Sequence, residues 1–179
     1  TNAASLVFNG ASGGLVYQGT VRNGDLALGS LSASTDRLFT LAATATGATL
    51  SSTVSNNNAI VWSNTGAIVN NTTANATLIL TGTSTGDNTL NPQLVNSSVG
   101  GGVTLSVNKT AAGQWNLGNG NNSYTGVTTV GNGILALNHN GALPANSPVV
   151  LGTTTTNGIL QLSGTFARNL TATPAAGTG

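Results

Sequence analysis

The sequence reads NGILAL at residues 132–137 and NGILQL at residues 157–162, so five residues recur after 25 positions around one variable position. Internal repeats with periods of about 20–50 residues are typical of solenoids and other stacked arrays. Each copy begins with Asn-Gly, which favours a turn, and continues with apolar residues that favour a strand. The repeat therefore predicts a coil made of a corner and a strand, in which Leu135 stacks on Leu160.

Short apolar runs of the same kind occur along the rest of the chain. Their starts lie mostly about 8–12 residues apart, which is typical of all-β proteins with frequent turns. The runs are 5–10, 14–19, 25–29, 37–41, 48–54, 59–62, 67–70, 76–82, 102–107, 114–118, 127–131, 134–137, 149–152 and 159–162. Gly, Asn and Thr between them predict corners, and the two prolines of GALPANSP at 141–148 favour a loop over a helix.

The composition limits the possible classes of function. Charged residues make up 4% of the chain, against roughly 25% in ordinary soluble domains, whereas hydrophobic residues make up 39% and recur in regular runs, which disfavours disorder. A net charge of +1 provides no basic surface for nucleic acid or anionic lipid. No apolar run approaches the roughly 18 residues of a transmembrane helix, and without Cys there are no disulfides or thiolate metal sites. We expect no nucleic-acid partner and no membrane insertion by this segment.

Two all-β architectures compete: an antiparallel sandwich or barrel, and a parallel β-solenoid. The repeat favours the solenoid, because one coil cannot bury its inner face alone and stacked coils share a continuous core. Stacked Thr and Asn are compatible with such coils, whereas stacked like charges would repel. We expect coils of roughly 18–30 residues, and about seven to nine coils in all. The predicted inward residues are Leu6, Leu15, Leu26, Ile60, Ile68, Leu78, Val130, Leu135, Val150 and Leu160.

Residues 109–137 read KTAAGQWNLGNGNNSYTGVTTVGNGILAL. This stretch closely resembles the autotransporter-associated β-strand repeat, also called the passenger-associated transport repeat. The positions that match its pattern are Lys109, Gly113, Trp115, Leu117, Asn122, Tyr124, Gly126, Thr128, Val130, Gly133, Leu135 and Leu137. The stretch departs from the pattern at Ala111, where the family usually has Gly, and by an Asn/Gly insertion at 118–121.

The resemblance implies a right-handed parallel β-helix with short strands and Gly/Asn/Thr-rich corners. We expect one β-solenoid unit over 1–179, in which 1–100 resembles looser repeats of large bacterial surface proteins and 101–179 matches the motif best. The resemblance also implies an extracellular or cell-surface location, reached by secretion across the outer membrane of a Gram-negative-type bacterium.

Candidates for catalysis are few. Glycoside hydrolysis generally needs two carboxylates, and the chain offers Asp25, Asp36 and Asp87. Asp25 lies close to Arg22 in the sequence, and Asp36 is followed directly by Arg37. Asp87 occupies a turn, where Asp commonly caps its own backbone. Structural roles are therefore favoured for all three carboxylates.

Other chemically active side chains are isolated. His139 lacks a second His or a Ser–Asp pattern and is expected in a surface loop. Lys109 could form an isopeptide bond only beside a buried carboxyl group, which the sequence does not indicate. Trp115 and Tyr124 are expected in the core rather than as a platform for stacking sugars. The sequence predicts no catalytic residue, no cofactor and no metal site.

We therefore expect a structural segment, which is a spacer, stalk or fibre subunit that stacks end to end with identical units or neighbouring coils. Strand-like sequence begins close to residue 1 and no polar cap is evident, which favours a polymer or a piece of a longer solenoid over a self-capped monomer. The alternative function is an adhesin passenger that binds carbohydrate or cell surfaces, and the third is a polysaccharide-degrading enzyme. Thr clusters recur too irregularly to form an ice-binding ladder.

Overall fold

The computed structural model describes residues 6–11, 13–19, 32–54 and 57–163. Within these ranges, fifteen short strands form three parallel sheets. Sheet A contains β1 (Val7–Phe8), β4 (Thr40–Leu41) and β7 (Val69–Asn70). Sheet B contains, in spatial order, β2 (Gly13–Tyr17), β5 (Gly47–Ser52), β8 (Ala76–Thr81), β10 (Leu105–Lys109), β12 (Thr128–Val130) and β14 (Val149–Leu151). Sheet C contains β3 (Ala33–Thr35), β6 (Ile60–Trp62), β9 (Thr89–Leu90), β11 (Gln114–Leu117), β13 (Gly133–Leu137) and β15 (Gly158–Leu162).

The strands follow one another as the faces of a parallel β-helix, which confirms the predicted fold class. Each coil adds one strand to sheet B and one to sheet C, and within the described ranges three coils also add a strand to sheet A. All strand pairs join different coils, as expected when a strand pairs with its counterpart one turn later. The antiparallel sandwich or barrel is therefore excluded.

The NGIL-x-L repeat has the predicted register. Strands β13 and β15 pair in parallel, and Leu135 lies opposite Leu160 while Leu137 lies opposite Leu162. The variable position of the repeat places Ala136 opposite Gln161 on the outer face of sheet C. The two copies are thus successive coils in register.

Coil length is less regular than predicted. In-register partners are 35 residues apart at Leu15 and Leu50, but 21 residues apart at Val107 and Thr128. The first spacing exceeds the predicted maximum of roughly 30 residues. The described residues form six coils, whereas the prediction of seven to nine refers to the whole of residues 1–179.

One hydrophobic cluster runs between the sheets from Phe8 to Val149. Of the predicted inward residues, Ile60, Ile68, Leu78, Val130 and Leu135 are buried in it. Leu6, Leu15 and Leu160 are partly buried and pack against it, and Leu26 lies outside the described residues. In the first two coils the core also contains Phe8, Phe39 and Trp62 packed edge to face, with ring centroids 5.6 and 5.8 Å apart.

The prediction for Val150 is wrong, because Val149 is the inward residue of β14. Val149 lies opposite Thr128 in the sheet, and both side chains are buried. A shift of one residue along a strand turns a side chain to the other face. Since VVL is continuously apolar, its sequence does not indicate which valine faces inward.

The corner before β13 has the predicted glycines. Gly133 has a φ of +72°, in the region that L-residues rarely adopt, and a Cβ there would collide with the carbonyl oxygen of Ala111 in the preceding coil. The backbone N–H of Gly131 donates to Lys109 O (2.8 Å), which joins this corner to the coil before it. Gly133 therefore permits the close approach of two coils.

Asparagine side chains at other corners form hydrogen bonds between coils. Asn88 Oδ1 accepts from the N–H of Ile60 (3.1 Å), and its Nδ2 donates to Gln114 O (2.9 Å), so one side chain bridges three successive coils. Asn119 Nδ2 donates to the carbonyl oxygens of Asn91 (2.7 Å) and Thr65 (3.0 Å). Because corner backbone groups leave the strand ladder and must still be paired when buried, these amides account for part of the Asn-rich composition.

Candidate functional site

The described carboxylates do not form a catalytic pair. Asp36 follows the end of β3 and Asp87 precedes the start of β9, so they lie at opposite ends of sheet C with β6 between their strands. Both side chains are exposed, and Asp25 lies outside the described residues. Asp87 Oδ1 accepts a hydrogen bond from Gln114 Nε2 of the next coil (2.8 Å). The carboxylate of Asp87 therefore connects two neighbouring coils.

His139 lies exposed in the loop that follows β13, as predicted. This loop turns through a hydrogen bond from the N–H of Ala142 to His139 O (3.0 Å). The described residues contain no group of three His, Cys, Asp or Glu side chains that could hold a metal ion.

Lys109 is fully buried at the end of β10. Its Nζ donates to the carbonyl oxygen of Ala111, in the corner of the same coil, and to Asn132 O in the next coil (3.0 Å). Burial lowers the pKa of Lys109 from 10.5 to about 8, because the charged form is desolvated. The side chain of Lys109 thus joins the corners of two coils. An isopeptide bond would need a buried carboxyl group beside Lys109, but the described carboxylates, Asp36 and Asp87, are exposed.

The two large aromatic residues of the motif are buried, as the sequence predicted. Trp115 packs in the core and its Nε1 donates to Thr81 O (2.9 Å). The hydroxyl of Tyr124 is 2.9 Å from Thr128 Oγ1, within hydrogen-bond distance. Buried rings of this kind cannot form a stacking platform for sugars on the surface.

A polar groove lies on the outer face of sheet C. Along β11 and β13 the side chains of Trp115, Leu117, Leu135 and Leu137 point into the core, so Gln114, Asn116 and Ala136 point outward. Thr89, Asn116, Ala136 and Gln161 form one in-register column across four coils. The short side chain of Ala136 therefore lies between the longer amide side chains of Asn116 and Gln161.

Side-chain length explains the shape of this groove. Although Ala136 points outward, it is only 2% exposed, and Asn116 is only 4% exposed. Ala136 is the floor, and the longer side chains around it form the walls. The groove has a volume of about 320 Å3 and is lined by Asp87, Thr89, Gln114, Asn116, Ala136, Asn138, Gln161 and Ser163.

Hydrogen bonds hold one wall of the groove in place. Gln114 Nε2 donates to Asp87 Oδ1 (2.8 Å) and to Asn116 Oδ1 (3.2 Å). Asn116 Nδ2 donates to Thr89 Oγ1 (3.4 Å), and Thr89 Oγ1 donates to Asp87 O (2.8 Å). This closed network fixes four side chains from two neighbouring coils.

The sequence analysis predicted no catalytic, cofactor or metal site and placed no residues for the alternative of carbohydrate binding, so it did not identify this groove. Its one signal in the sequence is the variable position of NGIL-x-L, which is Ala in one copy and Gln in the other. The difference creates a step on the surface only if the two copies stack in register.

Comparison with protein-family models, with curated proteins and with solved structures finds no match for this chain. The resemblance of residues 109–137 to the autotransporter-associated repeat therefore stays a prediction. In the described part of the chain, no helix is long and apolar enough to cross a membrane.

Proposed function

We propose that this chain is a structural, extracellular segment of a β-helix that serves as a spacer, stalk or fibre subunit and stacks end to end on further coils. The extracellular location is supported by the resemblance of the 109–137 motif to secreted repeat regions. The stacking is supported by the coil that contains β14 and β15.

Two inward residues of this coil, Leu151 and Leu162, are much more exposed than their counterparts one coil earlier. Leu137 is 1% exposed, whereas its in-register partner Leu162 is 42% exposed. Val130 is fully buried, whereas its partner Leu151 is 36% exposed. Both side chains lie on the core side of their sheets. A further coil stacked on this one would therefore bury their apolar surface.

The same coil carries the end strands of two sheets. Within the described residues, β14 and β15 each pair with a strand on one side, so each has a second ladder edge. Exposed strand edges are templates for pairing with another strand. A further coil would complete both ladders and the core together, and the low net charge opposes such association little.

Contact between opposite ends of two copies would be heterologous, and such contacts propagate into filaments when the rotation does not close a ring. A copy of this chain or a continuing solenoid can supply the covering coil. Either arrangement fits a rod-shaped structural element.

Sedimentation velocity over a concentration series, with electron microscopy of the same samples, tests this proposal. We expect rods or filaments that lengthen with concentration. Leu162→Lys should weaken association at least about tenfold, because it places a charge in the joint. Val99→Lys is the matched control, since Val99 is also exposed but lies between β9 and β10. A monomer at every concentration would contradict stacking between copies of this chain, and equal association of both variants would contradict a joint at Leu162.

The enzymatic alternative receives less support from the surface geometry. Among the residues that line the groove on sheet C, Asp87 is the one carboxylate, and it is engaged by Gln114. Retaining and inverting glycosidases generally use two carboxyl groups that flank the scissile bond. A binding role for the groove does not have this requirement.

A further inference from the structure

We propose that the groove on the outer face of sheet C binds neutral sugar residues of a glycan chain. This inference goes beyond the structural role, because the groove lies on the side of the β-helix and does not depend on the end-to-end joint.

The chemistry of the lining favours a ligand rich in hydroxyl groups. The amides of Asn138 and Gln161 each offer both a donor and an acceptor, while Gln114, whose Nε2 donates to Asp87 and Asn116, offers its Oε1 as an acceptor. The hydroxyl of Ser163 adds a group that can donate or accept. Neighbouring hydroxyls of a sugar present the same mixture of donors and acceptors, so they can pair with these side chains.

The charge of the groove disfavours other classes of ligand. Its lining contains no Lys, Arg or His, while Asp87 contributes a negative charge, so phosphate, uronate and nucleic-acid ligands would be repelled. A single carboxylate is a poor site for a divalent cation, which prefers several oxygen ligands. The mainly polar lining would also leave amides unpaired beneath an apolar ligand.

The shape of the groove suits an extended chain. Its volume of about 320 Å3 lies near the lower limit of roughly 300–1,000 Å3 for small-molecule sites. Along the axis of the β-helix, the in-register residues Thr89, Asn116, Ala136 and Gln161 repeat about every 4.8 Å. Successive coils can therefore contact successive parts of one glycan chain.

The wall formed by Asp87, Gln114, Asn116 and Thr89 is already ordered by its own hydrogen bonds. Ordering free side chains on binding costs about 0.5–1.5 kcal/mol each, so a preformed wall reduces this cost. Because both large aromatic residues of the motif are buried, recognition depends on hydrogen bonds rather than on stacking.

Saturation-transfer difference NMR with the whole chain tests the proposal, since it observes the ligand and tolerates large assemblies. The probes are cellobiose, lactose, maltose and diacetylchitobiose, with digalacturonate and trialanine as charged and peptide comparisons. We expect saturation of at least one neutral disaccharide and none of digalacturonate or trialanine.

Two reciprocal substitutions place the binding in the groove. Ala136→Gln introduces the residue that the next coil carries at this position, so it fills the floor with a side chain the fold accepts and should weaken binding at least about tenfold. Gln161→Ala removes one wall and should weaken binding about two- to tenfold, as expected for the loss of one hydrogen-bonding side chain. Thr129→Gln is the matched control, because Thr129 belongs to the same coil but lies on the outer face of sheet B.

Circular dichroism should show the strand content and thermal transition of all three variants unchanged. The proposal is overturned if no neutral disaccharide binds, if digalacturonate or trialanine binds better, or if Ala136→Gln and Thr129→Gln bind the sugars equally well.

Discussion

Gly133 begins β13 with a positive φ, and the carbonyl oxygen of Ala111 occupies the space a Cβ would need. Gly133→Ala should therefore lower the free energy of unfolding by about 2–5 kcal/mol, from the left-handed conformation and the collision together. Gly131→Ala is the control, since its nearest neighbour would be Thr153 Cγ2 at 3.4 Å, and it should change stability by less than about 1 kcal/mol. Urea unfolding measures both. Equal effects on stability would mean that the backbone at Gly133 does not approach Ala111 of the preceding coil as described.

Lys109 has a structural role in the motif, because its ammonium group lies among corner carbonyls of two coils. Since its pKa falls from 10.5 in the unfolded chain to about 8 in the folded protein, the unfolded state binds more protons between these values. This group therefore opposes folding fully below pH 8, and its penalty is relieved as the pH rises from about 8 to 10.5.

Urea unfolding of the wild type and of Lys109→Met tests this linkage. The difference in unfolding free energy, wild type minus variant, should rise between pH 8 and pH 10.5 and stay constant from pH 6 to pH 7. Subtraction removes the contributions of groups that both proteins share. A difference that is flat, or that falls with pH, would show that the amine is not buried in this way.

Strands β13 and β15 have the same apolar sequence but different surroundings. Leu135 is fully buried between two coils, whereas its partner Leu160 is partly buried on one side of the core. At protein concentrations too low for association, Leu135→Ala should cost about 2–5 kcal/mol and Leu160→Ala clearly less. Leu135→Asp should cost more than either, because it places an unpaired charge in the core.

Ile159→Ala is the control for these strand variants, because Ile159 is exposed on the outer face of β15 and should change stability by about 0.5 kcal/mol or less. Thermal and urea unfolding provide the measurements. If Leu135→Ala were as mild as Ile159→Ala, the register of the two repeats would have to differ.

The six coils of the described residues form a short rod, with strands perpendicular to its axis. At about 4.8 Å per coil, they span about 25–30 Å. Oriented assemblies of the chain should give a meridional reflection at about 4.7–4.8 Å in X-ray fibre diffraction. Leu162→Lys, which disfavours the joint, should give samples without oriented fibres under the same conditions. Absence of the reflection from wild-type assemblies would contradict coaxial stacking of the coils.

Much of the architecture is determined by local features of the sequence. The alternation of NGIL-x-L places Leu135 and Leu137 on one face, and its recurrence as residues 157–162 predicts the parallel register that β13 and β15 adopt. The glycines of the 131–133 corner and the prolines of the 141–148 loop were likewise predicted correctly, because each acts through its own backbone conformation. These signals lie within a few residues of the structure that they specify.

Other features depend on which residues of different coils meet, and only the tertiary structure decided them. Spacing between in-register partners varies from 20 to 35 residues, so sequence distance does not identify the partner of a given side chain. The sequence therefore did not indicate that Val149 rather than Val150 faces the core, or that the carbonyls around Lys109 come from two coils. The groove was not predictable either, because its floor exists only where stacking places the single methyl of Ala136 between the longer side chains of Asn116 and Gln161.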